Sequence, residues 1–375
     1  MDILVLNYEF PPLGGGAAPV SQDIATALQK RGHTVTVVTM GYKELPYEET
    51  IQGVKVYRLK CWRRKKNVCK PWEQYTYLLA VRRFIRKYIK TPHRFDVCHT
   101  HFVIPTGEVA RWIKKKYNIP YIITAHGSDV EGHNRKKSML VMQRILRKPW
   151  QHIVKDAECV VSPSVYLMNL MTKNYPNGKY VHIPNGIDYQ KFVALNNPDR
   201  KEKVILIMGR LQRFKNVQTI LRALSKVDLS EWKVEVLGDG PYRGELENIV
   251  KQLRLEDKVH FHGWIDHGSS EQLDFLTKSS IYISASEFEN CPMSVIEAIA
   301  AGCYPLLSDI PGHRQFFEEE TYFFETYNAD KLAEKVALVM SQNGTGLTNI
   351  DVSGYSWDNI IVRYEEKLCM SLDSV

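Results

Sequence analysis

Short apolar runs of about five residues alternate along this chain with longer stretches in which apolar positions recur every three or four residues. The first pattern predicts buried strands and the second amphipathic helices. In the first half, strands are expected at Asp2–Asn7, Thr34–Thr39, Val54–Leu59, Val97–His101, Tyr121–Ala125, Cys159–Ser162 and Tyr180–Ile183. Helical spacing fills Val20–Arg31, Trp72–Lys90, Glu108–Tyr117 and Ser138–Lys155. A polar run from Asn196 to Lys203 interrupts the alternation. It then restarts, with strands expected at Val204–Met208, Lys233–Leu237, Val259–His262, Ile281–Ser284 and Tyr304–Leu307. The helices between them are expected near Val217–Val227, Arg243–Leu253, Glu271–Thr277, Ser294–Ala301 and Ala329–Ser341.

Strand-helix alternation implies parallel sheets covered on both faces. The chain thus reads as α/β, with two Rossmann-like, doubly wound domains: residues 1–190, a linker at 191–203, and residues 204–354. Ligands of such sheets sit beyond the carboxyl ends of the strands, where helix N-termini offer free N–H groups. Functional motifs are therefore sought just after strands.

A length of 375 residues suits two domains, and 44% hydrophobic with 25% charged residues suits folded ones. The chain opens on the apolar run Ile3-Leu4-Val5-Leu6 without a basic leader, and no apolar run approaches 18 residues. A secretion signal and a spanning helix are not expected. Seven cysteines, odd in number and without a C-x-x-C pair, fit a reducing cytoplasmic setting. Charge is uneven. Residues 1–190 carry 30 Lys and Arg against 14 Asp and Glu, net +16, whereas residues 191–375 carry 20 against 28, net −8. Nucleic acid, an anionic membrane, a phosphorylated acceptor and a merely solvated basic face would each account for the first half.

After the first strand, Gly14, Gly15 and Gly16 lead into a helix, so successive N–H groups can form a phosphate nest; the alternative is a tight structural turn. A dinucleotide fingerprint would need glycine where Pro19 stands and an acid where Met40-Gly41 stands, which disfavours a nicotinamide cofactor. His126-Gly127-Ser128-Asp129 follows another strand, and its His126 and Asp129 can hydrogen-bond sugar hydroxyls. His99 and His101 are read first as local hydrogen-bonding residues, with His101 kept as an acceptor-side candidate. In the second half Gly209-Arg210 follows a strand and Lys215-Asn216 precedes a helix, placing two cations where a diphosphate can be held. Glu289, in the loop after a strand, and Glu297, in the next helix, suit hydroxyl pairs on a hexose and a ribose. Each of these pieces, alone, also fits solvated loops.

Taken together, the glycine loop, His126 to Asp129, Pro184-Asn185-Gly186-Ile187-Asp188, Gly209-Arg210 through Lys215-Asn216, Gly238-Asp239-Gly240-Pro241 and the two glutamates leading into Ala298-Ile299-Ala300-Ala301-Gly302 resemble glycosyltransferase family 4. The resemblance covers nearly the whole chain. It implies a GT-B fold, two Rossmann-like domains with a cleft between them, and a last helix near 355–375 returning to the first domain. It also implies retaining transfer of a hexosyl-type sugar from a nucleoside-diphosphate sugar, UDP favoured over GDP, to a glycan or lipid-linked acceptor in bacterial envelope polysaccharide synthesis.

The resemblance gives catalytic roles to Arg210, Lys215, His126 and Glu289. Donor contacts fall to Gly15, Gly16, Gly209, Arg210, Lys215, Gly240, Ile265, Glu289, Asn290, Cys291, Pro292, Met293, Ser294 and Glu297, with the diphosphate on Arg210 and Lys215, the ribose on Glu297 and the transferred sugar on Glu289. Gly14, His101 and Asp129 lie on the acceptor side. Asn290-Cys291-Pro292 stands where family members often carry Gly-Phe-Gly, which changes the contacts around Glu289. No D-x-D occurs in the chain, and two fixed cations can serve the diphosphate, so no metal is expected. A sugar-nucleotide epimerase, a sugar-phosphate synthase and a noncatalytic sugar-nucleotide-binding protein are the alternatives, since fold alone does not determine function. The basic clusters at 63–66, at Arg82, Arg83, Arg86 and Lys87, at 114–116 and at 135–137 predict peripheral binding to anionic membranes on the cytoplasmic face. Nucleic acid is not expected, because no nucleic-acid module is recognised.

Overall fold

The computed structural model describes residues 1–66, 68–89, 95–133, 137–342 and 350–372. The chain forms two compact units, one of Met1–Asn185 with Trp357–Val375 and one of Gly186–Ser356.

The first unit is built on eight strands: β1 (Asp2–Leu6), β2 (Thr34–Met40), β3 (Glu48–Ile51), β4 (Val54–Leu59), β5 (Val97–His101), β6 (Tyr121–Thr124), β7 (Cys159–Ser162) and β8 (Tyr180–His182). Their order is β3-β4-β2-β1-β5-β6-β7-β8. Every pairing is parallel except β3 with β4. Ile3 to Leu6 are wholly buried, as a central strand covered on both faces requires. The sequence pattern misses β3, because Glu-Glu-Thr-Ile is an exposed edge with no apolar run to betray it. The predicted helix at Ser138–Lys155 is two helices, Lys137–Ile145 and Arg147–Asp156. Pro149 explains the break: it has no N–H to donate and is tolerated only within the first turn of a new helix. The helix Trp357–Leu372 closes this unit, where Glu365 accepts from Arg31 Nε and pairs with His33 Nε2, both at 2.7 Å.

The second unit holds β9 (Glu202–Met208), β10 (Lys233–Leu237), β11 (Val259–Gly263), β12 (Ser279–Ser284), β13 (Tyr304–Ser308) and the two-residue β14 (Phe323–Phe324). The sheet order β11-β10-β9-β12-β13-β14 is parallel throughout. The units divide between Asn185 and Gly186, upstream of the expected linker at 191–203. Ile187 and Phe192 are buried in the second unit's core, which anchors that segment, and Tyr189–Val193 is helical.

Glycine is required where the strand ends of the second unit approach one another. Gly238 has φ +140°, and a methyl group on it would overlap the carbonyl oxygen of Gly209. The Gly238 N–H meanwhile donates to Gly263 O at 2.7 Å and the Gly209 N–H to Leu237 O at 2.9 Å. Gly238→Ala should therefore cost about 2–3 kcal/mol of stability through backbone strain. A lower urea midpoint at unchanged denaturant slope would show this, and an unchanged midpoint would mean that the strand ends do not need the glycine.

Candidate functional site

The 3-10 turn Arg213–Lys215 and the loop 286–290 are held together at the carboxyl edge of the second sheet. Glu287 N–H donates to Phe214 O at 2.8 Å, and the Phe214 and Phe288 rings stack at 4.5 Å. This staple brings the Lys215 ammonium onto Glu289 Oε1 in an ion pair whose side chains are 24% and 13% exposed. Ser286 Oγ donates to the same carboxylate oxygen at 2.7 Å. Burial pushes the Glu289 carboxyl up, but the Lys215 charge, His313 and the hydrogen bonds from Lys215 and Ser286 outweigh it and hold it below its ordinary value. It is a carboxylate at neutral pH.

His313 is buried nearby, and burial brings its imidazole down to about 4. It is neutral at pH 7, so Nδ1, at 2.8 Å from Ser308 O, must carry the proton and donate it. Nε2, left bare, faces Ser284 Oγ at 3.3 Å. Gly312 lets this loop close on Glu289, since a methyl there would overlap the Glu289 carbonyl oxygen. Gln315 Nε2 donates to Asn290 O, fixing the residue after Glu289.

The Lys215 side chain passes 4.0 Å from where a Cβ on Gly209 would lie. Next to Gly209, Arg210 is half-buried, and its guanidinium has no ion pair or hydrogen bond among the described residues. A half-buried, unpaired guanidinium is ready for an anion. Cys291 is buried and Pro292 caps the helix Met293–Ala300, whose first N–H groups, at Met293 and Ser294, have no partner within the helix. Glu297, one turn in, is buried; Oε1 pairs with His267 Nε2 at 2.7 Å and Oε2 accepts from Gln272 Nε2 at 3.0 Å. Gly240 packs on the Leu211 carbonyl so closely that no side chain fits, and Ile265 and Met293 both pack against the core cluster that holds Val295 and Ile296.

In the first unit three expectations change. Gly14 N–H donates to Lys66 O at 3.0 Å and Gly15 N–H to Glu9 Oε2 at 3.2 Å, so both are engaged and only Gly16 is left to offer an N–H to a phosphate. His101 is fully buried, with Nδ1 at 3.0 Å from His126 Nε2, so it supports His126 and does not face an acceptor. Asp129 accepts from Val103 N–H at 2.7 Å and His126 N–H at 3.1 Å, which commits both its oxygens to the loop. Burial lowers His99 and His126 to about 3 and His101 well below its ordinary value, so this histidine cluster is uncharged at neutral pH.

The basic face is likewise divided. Arg63 turns inward, donating to Tyr8 O and Lys66 O, both at 2.9 Å, and Lys114 pairs with Glu158 at 2.5 Å. Arg64, Lys65, Lys66, Arg83, Arg86 and Lys87 are exposed, and so are Trp62, Trp72, Tyr75 and Leu79 on the same unit. Of the cluster at 135–137, residues 135 and 136 lie outside the described residues. Among the described residues no group of three His, Cys, Asp or Glu side chains is placed to hold a metal, and no helix is long and apolar enough to cross a membrane.

Two family models match end to end: Glycosyltransferase Family 4 over residues 14–191 and Glycosyl transferases group 1 over residues 188–350. The chain belongs to glycosyltransferase family 4. This glycosyltransferase is 26% identical to an uncharacterized glycosyltransferase of Methanocaldococcus jannaschii, over 96% of each chain. It is 26% identical to the alpha-monoglucosyldiacylglycerol synthase of Streptococcus pneumoniae, over 80% of this chain and 69% of that protein. Its fold matches the Anabaena protein HepE, crystallised with UDP and glucose, at a TM-score of 0.74 and 15% identity over the whole of both chains. The fold is GT-B.

The sequence singles out Arg210, Lys215, Glu289 and Glu297, and the structure adds Ser286, His267, Gln272 and His313 around the two glutamates. Only Pro311-Gly312 just after β13 marked the His313 loop as a close approach.

The ion pair yields a test. A carboxyl held low contributes stability at neutral pH, and that contribution is lost as pH falls through its folded-state titration. Lys215→Met keeps the burial and removes the ammonium, so the Glu289 carboxyl should rise above its wild-type position. The enzyme should lose about 3 kcal/mol at pH 7, the low end for a broken buried pair. Carbon-13 NMR titration of the glutamate carboxyls and denaturant melts read both effects. A Glu289 titration unmoved by the substitution would show that Lys215 does not hold its charge.

Proposed function

We propose that this protein transfers a hexosyl-type sugar, with retention of anomeric configuration, from a nucleoside-diphosphate sugar to a glycan or lipid-linked acceptor in glycolipid or polysaccharide synthesis. The observation that carries this reading is the Lys215 ammonium, held by a low-titrating Glu289 carboxylate, at the same sheet edge as the loop that carries the unpaired Arg210. Arg210 and Lys215 take the diphosphate and stabilise the charge that develops as it leaves. Lysine carries three donors, so Lys215 can keep Glu289 while giving another N–H to a phosphate. Glu289 accepts from hydroxyls of the transferred sugar, and Glu297 accepts from the ribose. Gly209, Gly240, Ile265 and Asn290 to Ser294 line the donor.

In this proposal no side chain serves as a covalent nucleophile. The acceptor hydroxyl attacks the face the diphosphate leaves, its proton passing to the departing phosphate, and the protein contributes orientation and electrostatics. UDP is favoured over GDP, in keeping with the UDP and glucose bound by HepE, and the two fixed cations make a metal unnecessary. Arg210→Ala should lower turnover roughly 30- to 1000-fold, the cost of one charged transition-state contact of about 2–4 kcal/mol, with little change in stability. Wild-type turnover should be the same with and without EDTA. Turnover of the variant within about threefold of wild type, or activity lost to EDTA and restored by magnesium, would show the diphosphate site to be misassigned. Products distinguish transfer from epimerisation: nucleoside diphosphate and an extended acceptor must appear together.

A lipid-linked acceptor calls for a membrane surface, and a cytoplasmic enzyme would meet it peripherally. The six exposed cations at 64–66, 83, 86 and 87, with Trp62, Trp72 and Tyr75, suit anionic headgroups at about 1 kcal/mol per charge. Sedimentation with vesicles should show binding to anionic lipid that weakens with salt and with neutralisation of residues 64–66. Equal, negligible binding to anionic and neutral vesicles at low salt would leave a soluble acceptor.

A further inference from the structure

We propose that His267 is a removable cap on Glu297, standing where a ribose hydroxyl binds, and that the nucleotide must displace it. The inference rests on the reading of Glu297 as the ribose ligand. Glu297 has side-chain exposure of only 2%, and a carboxylate so buried needs hydrogen bonds to both oxygens. Its two partners differ in how far each is open to solvent.

Gln272 is fixed. It is itself buried; its Oε1 accepts from Gly268 N–H at 2.5 Å while its Nε2 donates to Glu297 Oε2 at 3.0 Å. Flipping the amide would set oxygen against carboxylate and NH₂ against N–H, so its orientation is determined. The surrounding loop is tied as well, since Lys191 Nζ donates to Gly268 O at 2.7 Å and Ser269 caps the helix Ser270–Lys278. Gln272 is thus a positioning residue that aims one oxygen of Glu297 and stays in place when ligand arrives.

His267 differs. Its side chain is 37% exposed, and Nε2 lies 2.7 Å from Glu297 Oε1, so Nε2 carries the proton and donates it, because an ionised carboxylate only accepts. Of the two donors on Glu297, the imidazole is the one open to solvent. A ribose hydroxyl donating to the same oxygen would take the imidazole's place. The cap thus satisfies a buried charge while the site is empty and competes with the nucleotide when it fills.

Two consequences separate a cap from a direct nucleotide contact. His267→Ala should leave the unliganded protein with a lower melting temperature, because Glu297 loses a partner, and should bind nucleoside diphosphate roughly three- to tenfold more tightly, because a competing hydrogen bond is gone. The melting-temperature rise on adding nucleotide should be larger than in wild type. His267→Gln, which retains a donor, should restore wild-type values. Calorimetry and thermal melts would use UDP or GDP, whichever wild type binds more tightly, with Glu297→Ala alongside. Unchanged or weaker binding by His267→Ala, while Glu297→Ala loses affinity, would overturn the cap and leave the ribose assignment standing. Unchanged binding by Glu297→Ala would overturn both.

Discussion

The second unit's site depends on a single charge pair that neither partner could sustain alone. Lys215 and Glu289 are 74 residues apart in sequence and mostly buried, and an isolated ammonium or carboxylate in such surroundings would give up its charge before paying full desolvation. Pairing keeps the Glu289 carboxylate ionised. The rest of the local architecture serves that encounter: the Phe214–Phe288 stack and the Glu287-to-Phe214 hydrogen bond close two loops, Ser286 takes part of the remaining carboxylate capacity, and Gly312 permits the backbone of the next loop to reach Glu289. His313 completes the wall. Being neutral, with its proton committed to Ser308, it adds no competing charge.

How much of this was legible in the sequence follows from which signals are periodic and which are not. Parallel, doubly covered strands such as Ile3 to Leu6 are nearly continuous apolar runs, so most strands of both sheets could be placed from pattern alone. The exposed edge Glu48–Ile51 and the two-residue Phe323–Phe324 carry no such run and escaped. The linker was misplaced because polarity was read as freedom, whereas Phe192 anchors the preceding residues in the second core. Site residues that belong to recognisable loops, Arg210, Lys215, Glu289 and Glu297, stood out by position. Their supports did not: His267 and Gln272 meet Glu297 from 30 and 25 residues away, and only the folded chain shows that proximity.

The first unit shows the reverse error, in which chemistry read from the sequence proves to be engaged internally. Three successive glycines promise a nest of N–H groups, but Glu9 and the Lys66 carbonyl fill two of its places. Asp129 promises a hydrogen-bonding carboxylate, but its oxygens order the turn that presents His126. Arg63 promises a surface cation, but it serves three backbone carbonyls. In each case a strong polar group near a loop is consumed by the backbone groups that the loop exposes, the requirement that buried polar atoms be satisfied taking precedence over ligand binding. His126 is half-buried, the Gly16 N–H has no partner among the described residues, and the exposed cations at 64–66, 83, 86 and 87 share the unit with exposed Trp62, Trp72 and Tyr75.

In the roles proposed for them, Glu289 and Glu297 show how one residue type can be made ready for two tasks. Glu289 is satisfied by Lys215 and Ser286, neither of which has to leave for a ligand to share the lysine's other donors. Glu297 is satisfied by one fixed donor, Gln272, and one exposed donor, His267, so half of its hydrogen-bonding capacity can be exchanged without leaving the charge unpaired. The first arrangement suits a group that must orient a reacting sugar through the whole reaction, where movement would cost alignment. The second suits a group that must alternate between holding a nucleotide and releasing it, because the bond made to the ligand replaces one of similar kind and the net affinity stays moderate. Since a transferase must let its nucleoside diphosphate go on every cycle, a site that partly satisfies itself when empty favours turnover over tight retention of product.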